Sequence, residues 1–228
     1  MSTDITKIGV QKVKSVSNGE VVELKNLWEN QNVAIIFFRR WGCMLCRLWA
    51  KEVSEIAPVL QKNNIKLIGI GVEKVGSEEF VKKKFFDGDL YYVDNISTYH
   101  QLGFKRFNVV TIITSLFWKQ SRDAILKGRG MGLETDTVGD GLQNGGLIVV
   151  KNGGKLTLHF IQDGPADRLS NTEILEVKYW FLLLFCCKRR PRRRLERRLG
   201  ANRRRHLGSK RREFAPPFCA KRAGRPFV

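Results

Sequence analysis

Two cysteines separated by two residues, Cys43 and Cys46, follow closely on an apolar run at residues 33–38 (VAIIFF). An uninterrupted apolar run of this length is typical of a strand that is buried on both faces of a sheet. After the cysteines, apolar side chains recur at helical spacing as far as about Leu60. We therefore expect a central strand that leads through a short turn into a helix, with both thiols in the first turn of that helix.

This placement predicts a reactive dithiol. The unpaired N–H groups and the positive dipole end of a helix N-terminus stabilise a thiolate. Three flanking cations, Arg39, Arg40 and Arg47, would lower a thiol pKa further or stabilise a leaving oxyanion. We interpret Cys43 as the nucleophile because it lies nearer the helix start, and Cys46, one turn inside, as the resolving thiol.

Two other interpretations of the cysteine pair stay open. The pair could form half of a zinc site, although a structural zinc site needs four ligands and no second pair stands at zinc-finger spacing. The two residues could also be inert core cysteines, since free cysteine is among the most buried residue types. We favour the redox interpretation of the pair over both, while each flanking arginine could also be a solvated charge beside the end of the strand.

The rest of residues 1–177 has the pattern of an α/β fold. Apolar runs, turn residues and helix-start signals alternate along the chain, and Gly128–Gly132 has the composition of a flexible surface loop. This order predicts a central mixed sheet with helices on both faces. The predicted elements are a hairpin over 14–24 that turns at Asn18-Gly19, strands at 65–72 and 90–93, a helix from Ser77, a hairpin of strands 146–150 and 156–161 around 152–154, and a final helix from Ser170.

The charge of the chain is concentrated at its C-terminal end. Residues 178–228 hold 18 Lys and Arg against 2 Asp and Glu, whereas residues 1–177 hold 23 against 20. Dense like-charge runs with Pro and Gly predict a disordered tail that would bind nucleic acid or an acidic membrane surface, if it binds anything. Because the composition changes abruptly inside the last predicted helix, we interpret 178–228 as an isoform-specific or aberrant segment.

The first ten residues lack the basic start and apolar run of a secretory signal, so we expect a cytoplasmic protein. In that reducing compartment a Cys-x-x-Cys pair is catalytic or metal-binding more often than structural. The apolar run at 179–187 has about half of the roughly 20 residues that a membrane-spanning helix needs.

Three separated segments together resemble one protein family. They are residues 38–47 (FRRWGCMLCR), 102–106 (LGFKR) and 139–147 (GDGLQNGGL), and they occur in order along the chain. With these motifs, residues 1–177 are similar to the peroxiredoxin-like 2 family. The resemblance implies a thioredoxin-like fold, with residues 178–228 outside it.

The resemblance also implies an activity. Members of this family are expected to reduce the endoperoxide of prostaglandin H2 or prostamide H2 to prostaglandin F2α or prostamide F2α through a dithiol, here Cys43 and Cys46. NADPH would be the ultimate electron donor, acting through thioredoxin and its reductase, and no metal would be needed. Trp41 would line an apolar slot for the lipid chain, while Phe37 and Phe38 fit a buried strand better.

Two alternative functions remain at this point. The same dithiol would serve a general peroxide reductase with antioxidant duty. A protein of another class would have an inert fold and would bind nucleic acid or membrane through its basic tail, in which case its binding would weaken strongly with salt.

Overall fold

The computed structural model describes residues 4–136 and 139–176. The predicted basic tail, 178–228, lies outside the described residues, as does the boundary at residue 177. In the described part of the chain, seven strands form one sheet. They are β1 (Lys12–Ser15), β2 (Val21–Glu23), β3 (Asn32–Phe38), β4 (Ile65–Gly71), β5 (Asp89–Val93), β6 (Gly146–Lys151) and β7 (Lys155–Ile161).

The sheet is mixed, with the strand order β2-β1-β5-β4-β3-β6-β7. Strands β3, β4 and β5 are parallel, and β3 pairs along its length with β4, from Asn32 opposite Ile65 to Phe38 opposite Gly71. The outer strands β1, β2, β6 and β7 run antiparallel to their neighbours. The predicted central strand is therefore confirmed, with two strands on the β6 side and four on the β4 side.

Helices cover both faces of this sheet. The described helices are α1 (Ile5–Gly9), α2 (Leu24–Trp28), α3 (Met44–Ser54), α4 (Ala57–Lys62), α5 (Ser77–Lys82), α6 (Ser97–Gln101), α7 (Val109–Leu116) and α8 (Lys119–Gly130), and residues 171–176 are also helical.

Alternation along β3 divides the core into two layers. Ala34, Ile36 and Phe38 face one layer, which α3, α4, α5 and α8 cover. The intervening residues, including Phe37, face the other layer, which α1, α2 and α6 cover. Phe37 and Phe38 are both fully buried, so their predicted place in the core is confirmed.

Both predicted hairpins form. Lys14 pairs with Val21 across the first, and of the predicted turn pair Asn18-Gly19 only Gly19 has a positive φ, because the connection is longer than a two-residue turn. The second hairpin joins β6 to β7 with positive φ at Gly153 and Gly154. At the start of the last predicted helix, Ser170 and Glu173 exchange the two hydrogen bonds of a capping box.

The structure corrects two local predictions. The single helix expected from the dithiol to about Leu60 is broken into α3 and α4, because Pro58 in the first turn of α4 has no N–H to continue the preceding helix. The loop predicted at Gly128–Gly132 is instead largely the last turn of α8. Gly128 is buried there, and a Cβ at this position would lie 3.0 Å from Cγ of Met44 on α3. Glycine thus permits close helix packing.

Candidate active site

The dithiol lies where the sequence predicts it, between the end of β3 and the first turn of α3. Cys43 is the N-cap residue of α3, with extended backbone angles (φ −77°, ψ 121°), and Cys46 lies in the first helical turn. The two cysteines are reduced and buried, with exposed fractions of 7% and 4%. The dithiol is therefore held at a helix N-terminus beneath the surface.

The two thiols are strongly inequivalent. The pKa of Cys43 lies well below its ordinary value, first because of a hydrogen bond from the Cys46 thiol and then because of the Arg39 charge. The backbone N–H of Cys46 and the charge of Arg40 act in the same direction, against the effect of burial. The pKa of Cys46 is raised well above its ordinary value by that same hydrogen bond, by burial and by the Cys43 charge. Both shifts act in the direction that favours a thiolate at Cys43 and a protonated thiol at Cys46.

Arg39 is the cation nearest to the thiolate. Its side chain is 4% exposed, and its Nη1 lies 3.8 Å from Sγ of Cys43. Nε donates to the carbonyl of Gln143 at 3.2 Å, and Nη2 donates to the carbonyl of Gly141 at 2.5 Å. The guanidinium also lies 5.4 Å from the centre of the Phe107 ring. These contacts fix the charge beside the sulfur.

The two downstream motif segments build the support for Arg39. Arg106 pairs with Gln143 in a β-bridge and forms a salt bridge with Asp140. The Asn144 side chain donates to the carbonyl of Gln162, which ties this loop to the residue after β7. The carbonyls that hold Arg39 thus belong to a loop that is itself tied to two other parts of the chain.

Arg40 and Arg47 occupy different environments from Arg39. Arg40 is half-buried, and its charge adds to the low pKa of Cys43. Arg47 is buried and forms salt bridges with Glu79 at 3.0 Å and Asp136 at 2.9 Å. It also donates to two carbonyls, those of Trp41 and Glu134. Arg47 therefore joins α3 to α5 and to the 134–136 segment, and two carboxylates balance its charge.

Trp41 does not lie at a surface opening. Its ring is fully buried, with its centroid 4.9 Å from that of Phe80 and 5.7 Å from that of Phe38. Its indole N–H donates to the carbonyl of Glu73 at 2.6 Å. The side chain is part of the core beneath the dithiol turn. Because it is fully buried, Trp41 does not line an open slot for a lipid chain in this structure.

In the described part of the chain, no group of three or more His, Cys, Asp or Glu side chains is placed to hold a metal ion. The helices of that part are also too short or too polar to span a lipid bilayer.

The sequence is similar over most of its length to named proteins of other organisms. It is 43% identical over 167 residues to prostamide/prostaglandin F synthase of Aquarana catesbeiana, covering 73% of this chain and 83% of the relative. It is 38% identical over 179 residues to the human protein of that name, covering 78% and 90%. The chain belongs to the peroxiredoxin-like 2 family. Residues 52–164 also match the family described as "AhpC/TSA antioxidant enzyme".

Solved structures of peroxiredoxins share the fold of this family member. AhpC of Enterococcus faecalis matches with a TM-score of 0.53 and 9% identity, over 79% of this chain and 92% of that one. Peroxidoxin BcpB of Mycobacterium tuberculosis matches with a TM-score of 0.50 and 12% identity, over 76% and 92%. The predicted thioredoxin-like fold is confirmed, and as a member of the peroxiredoxin-like 2 family the chain is an oxidoreductase.

Three residues of the site in this family member carry no individual functional signal in the sequence. Gly141 and Gln143 act through backbone carbonyls, and Phe107 contacts Arg39 through its ring. The segment 139–147 is one of the motifs of the family resemblance, and it locates Gly141 and Gln143 without revealing that they contact Arg39. For Phe107 the sequence gives no signal beyond its position next to the LGFKR motif.

Proposed function

We propose that this chain reduces the endoperoxide of prostaglandin H2, or of prostamide H2, to the corresponding F2α diol. The observation that carries the proposal is the arrangement of the dithiol, in which Cys43 is the N-cap residue of α3 with Nη1 of Arg39 3.8 Å from its sulfur, and Cys46 lies in the first helical turn. The lowered pKa of Cys43 and the raised pKa of Cys46 agree with this arrangement. Reduction of an endoperoxide by a dithiol requires a nucleophile that attacks the oxygen–oxygen bond and a source of protons for the two oxygens that are released. The names of the relatives support this substrate class.

In the first step, the Cys43 thiolate attacks one oxygen of the endoperoxide. A sulfur–oxygen bond forms while the oxygen–oxygen bond breaks, and the other oxygen leaves as an alkoxide. Arg39 lies beside the reacting sulfur and would stabilise the negative charge as it moves onto the leaving oxygen. The alkoxide then takes a proton and becomes the first hydroxyl.

In the second step, Cys46 attacks the sulfur of Cys43. The sulfur–sulfur bond forms, the sulfur–oxygen bond breaks, and the released oxygen takes up the proton that Cys46 loses. The substrate gains two electrons and two protons, and the chain is left with a Cys43–Cys46 disulfide. The position of Cys46 in the first turn of α3, next to the N-cap, supports this role.

The disulfide must be reduced before a second turnover. A thioredoxin-type dithiol protein would exchange with it, and NADPH would supply the electrons through thioredoxin reductase. We propose that this cycle takes place in the cytoplasm, where these reductants are found. In this scheme NADPH acts only through those proteins, and the chemistry of the chain rests on its own two sulfurs.

A second candidate substrate is a simple hydroperoxide, which the "AhpC/TSA antioxidant enzyme" match favours. The dithiol chemistry would be the same, with water or an alcohol as the first leaving group. Competition separates the two: with an endoperoxide-selective site, excess hydrogen peroxide does not slow formation of the F2α product.

The test is turnover of prostaglandin H2 with NADPH, thioredoxin and thioredoxin reductase. Cys43→Ser should reduce F2α formation to background. Cys46→Ser should stop within the first turnover, after the first step, with the substrate still bound to Cys43 as an adduct that mass spectrometry detects. The matched control replaces the three remaining cysteines, Cys186, Cys187 and Cys219, with Ser and should stay active. Activity that survives Cys43→Ser and disappears in the control would refute the proposal.

A further inference from the structure

Glu73 has no role in the chemistry described above, yet it contacts both halves of the site. It is half-buried in the loop between β4 and α5. Its main-chain carbonyl accepts the hydrogen bond from the indole of Trp41, which precedes the dithiol. Its carboxylate accepts a hydrogen bond at 2.8 Å from the backbone N–H of Asp140, in the 139–143 loop that supplies the acceptors of Arg39. Glu73 therefore connects the dithiol turn to the loop that holds its cation.

The carboxylate of Glu73 also packs tightly against the 139–143 loop. Gly139 has a positive φ of 93°, and a Cβ added at this position would overlap Oε1 of Glu73. A larger residue would displace the carboxylate from the loop. Among the described residues, this carboxylate forms no salt bridge, and its hydrogen bond comes from the backbone. Its contact with the loop is therefore that of a hydrogen-bond acceptor.

The loop carries this contact to Cys43 through Arg39. Asp140 precedes Gly141, whose carbonyl accepts from Nη2 of Arg39 at 2.5 Å, while Nη1 of Arg39 lies 3.8 Å from Sγ of Cys43. The N–H that Glu73 holds thus belongs to the residue next to the carbonyl that holds the guanidinium. Because Coulomb attraction varies inversely with distance, a displacement of about 1 Å would weaken the attraction at this range by about a fifth.

Other contacts hold the same loop from a different part of the chain. Arg106 pairs with the carboxylate of Asp140, and the Phe107 N–H donates to the carbonyl of Leu142 at 2.7 Å. These contacts tie the loop to residues 106–107, whereas Glu73 ties it to the dithiol turn through Trp41. Loss of the Glu73 contact would therefore leave the loop attached but free to shift relative to Cys43.

We propose that Glu73 is a positioning residue that holds the 139–143 loop, and with it the guanidinium of Arg39, beside Cys43. It acts as a hydrogen-bond acceptor. Its negative charge alone would act in the opposite direction, because an anion near Cys43 disfavours the thiolate. As a role in catalysis, this positioning rests on the function proposed above.

Two conservative variants of the full chain separate the acceptor from the charge. Glu73→Asp keeps the charge but is one methylene shorter, which withdraws the acceptor from the Asp140 N–H. Glu73→Gln removes the charge and keeps an acceptor of the same reach. The measurement is the rate at which iodoacetamide alkylates Cys43 below its pKa, where the rate follows the thiolate fraction. Glu73→Asp should slow alkylation by about threefold or more, whereas Glu73→Gln should stay within about twofold of the native rate or exceed it.

Two controls separate positioning from other effects. Above the pKa of Cys43 all variants should react at the native rate, which excludes a change of access. The same two substitutions at Glu78, an exposed carboxylate in the first turn of α5, should leave the rate unchanged. In a chain that carries Arg39→Gln, Glu73→Asp should have no further effect, because the positioned charge is already absent.

Three results would overturn the proposal. They are a native rate in Glu73→Asp, equal slowing in Glu73→Asp and Glu73→Gln, and undiminished slowing by Glu73→Asp when Arg39 is absent. Alkylation is measured without a peroxide, so failure of the proposed reduction of endoperoxides would not change these outcomes.

Discussion

Arg39 should control the ionisation of Cys43, and replacing it with Gln should raise the pKa of that thiol. Nη1 lies 3.8 Å from the sulfur, and the guanidinium charge is shared with atoms farther away. With an effective dielectric constant of about 20 and a mean separation of about 4–5 Å, the attraction is about 3–4 kcal/mol. Water that enters the vacated space would replace part of this attraction, so the pKa of Cys43 should rise by less than the full loss of the attraction would give.

The assay is the pH dependence of iodoacetamide alkylation, followed at the Cys43 peptide by mass spectrometry. Because only the thiolate reacts, Arg39→Gln should slow alkylation by about 10- to 100-fold at a pH below both pKa values. Above both pKa values the two proteins should react at similar rates. This second comparison separates a change of ionisation from a change of access.

Two further variants sharpen the test. Arg39→Lys keeps the positive charge but loses the planar guanidinium that donates to both carbonyls. The pKa of Cys43 in this variant should therefore lie between its values in the native chain and in Arg39→Gln. Arg40→Gln removes a half-buried cation with a smaller effect on the thiol and should give a smaller rise. An unchanged Cys43 pKa in folded Arg39→Gln, or a larger rise in Arg40→Gln, would refute the reasoning.

Three other predictions concern stability, measured by chemical or thermal unfolding. Arg47→Met should lower the free energy of unfolding by about 2–4 kcal/mol because it strands buried hydrogen-bond partners, and an unchanged value would contradict its structural role. Gly42→Ala should lower the free energy of unfolding by about 1–3 kcal/mol, because the added Cβ would lie 1.8 Å from the Asp136 carboxylate. If the effects of Gly42→Ala and Asp136→Gly simply add in the double variant, that clash is excluded. The free energy of unfolding of the reduced chain, compared with that of Cys43→Ser, should fall as the pH falls from about 8.5 towards the depressed pKa of Cys43 in the folded chain. In this pH range the Cys43 thiol binds more protons in the unfolded chain than in the folded one. The opposite slope would contradict a depressed pKa.

The parts of the fold that the sequence predicts well depend on neighbours along the chain. The β3 run, the dithiol turn and the hairpin around Gly153 are each encoded within about ten residues, and all three form as expected. The hydrophobic residues at helical spacing after the dithiol predict a helix, but periodicity alone does not predict the break that Pro58 causes between α3 and α4.

The parts that the sequence leaves open depend on distant partners. Arg39, Arg40 and Arg47 all lie within four residues of a cysteine of the dithiol in sequence, so a charge argument treats them alike. Arg47 meets its carboxylates 32 and 89 residues away, and Arg39 meets its carbonyls 102 and 104 residues away. No local pattern predicts these contacts.

Helix α7 shows a second kind of limit. Residues 109–116 (VVTIITSL) are rich in β-branched side chains, which favour strands by local propensity. The chain nevertheless forms a helix, which Asn108 caps by accepting a hydrogen bond from the Thr111 backbone N–H. The apolar pattern gives no sign of a buried face, because most of this helix is exposed.

The partners of Arg39 and Arg47 explain why only one of them serves the thiolate. The charge of Arg47 is balanced by Glu79 and Asp136, so its field beyond that cluster is weakened. Arg39 is held by neutral carbonyls and, among the described residues, forms no salt bridge with a carboxylate. Its charge therefore acts on Cys43, whose sulfur lies 3.8 Å from Nη1. Neutral acceptors fix the position of Arg39 without cancelling the charge on which the low pKa depends.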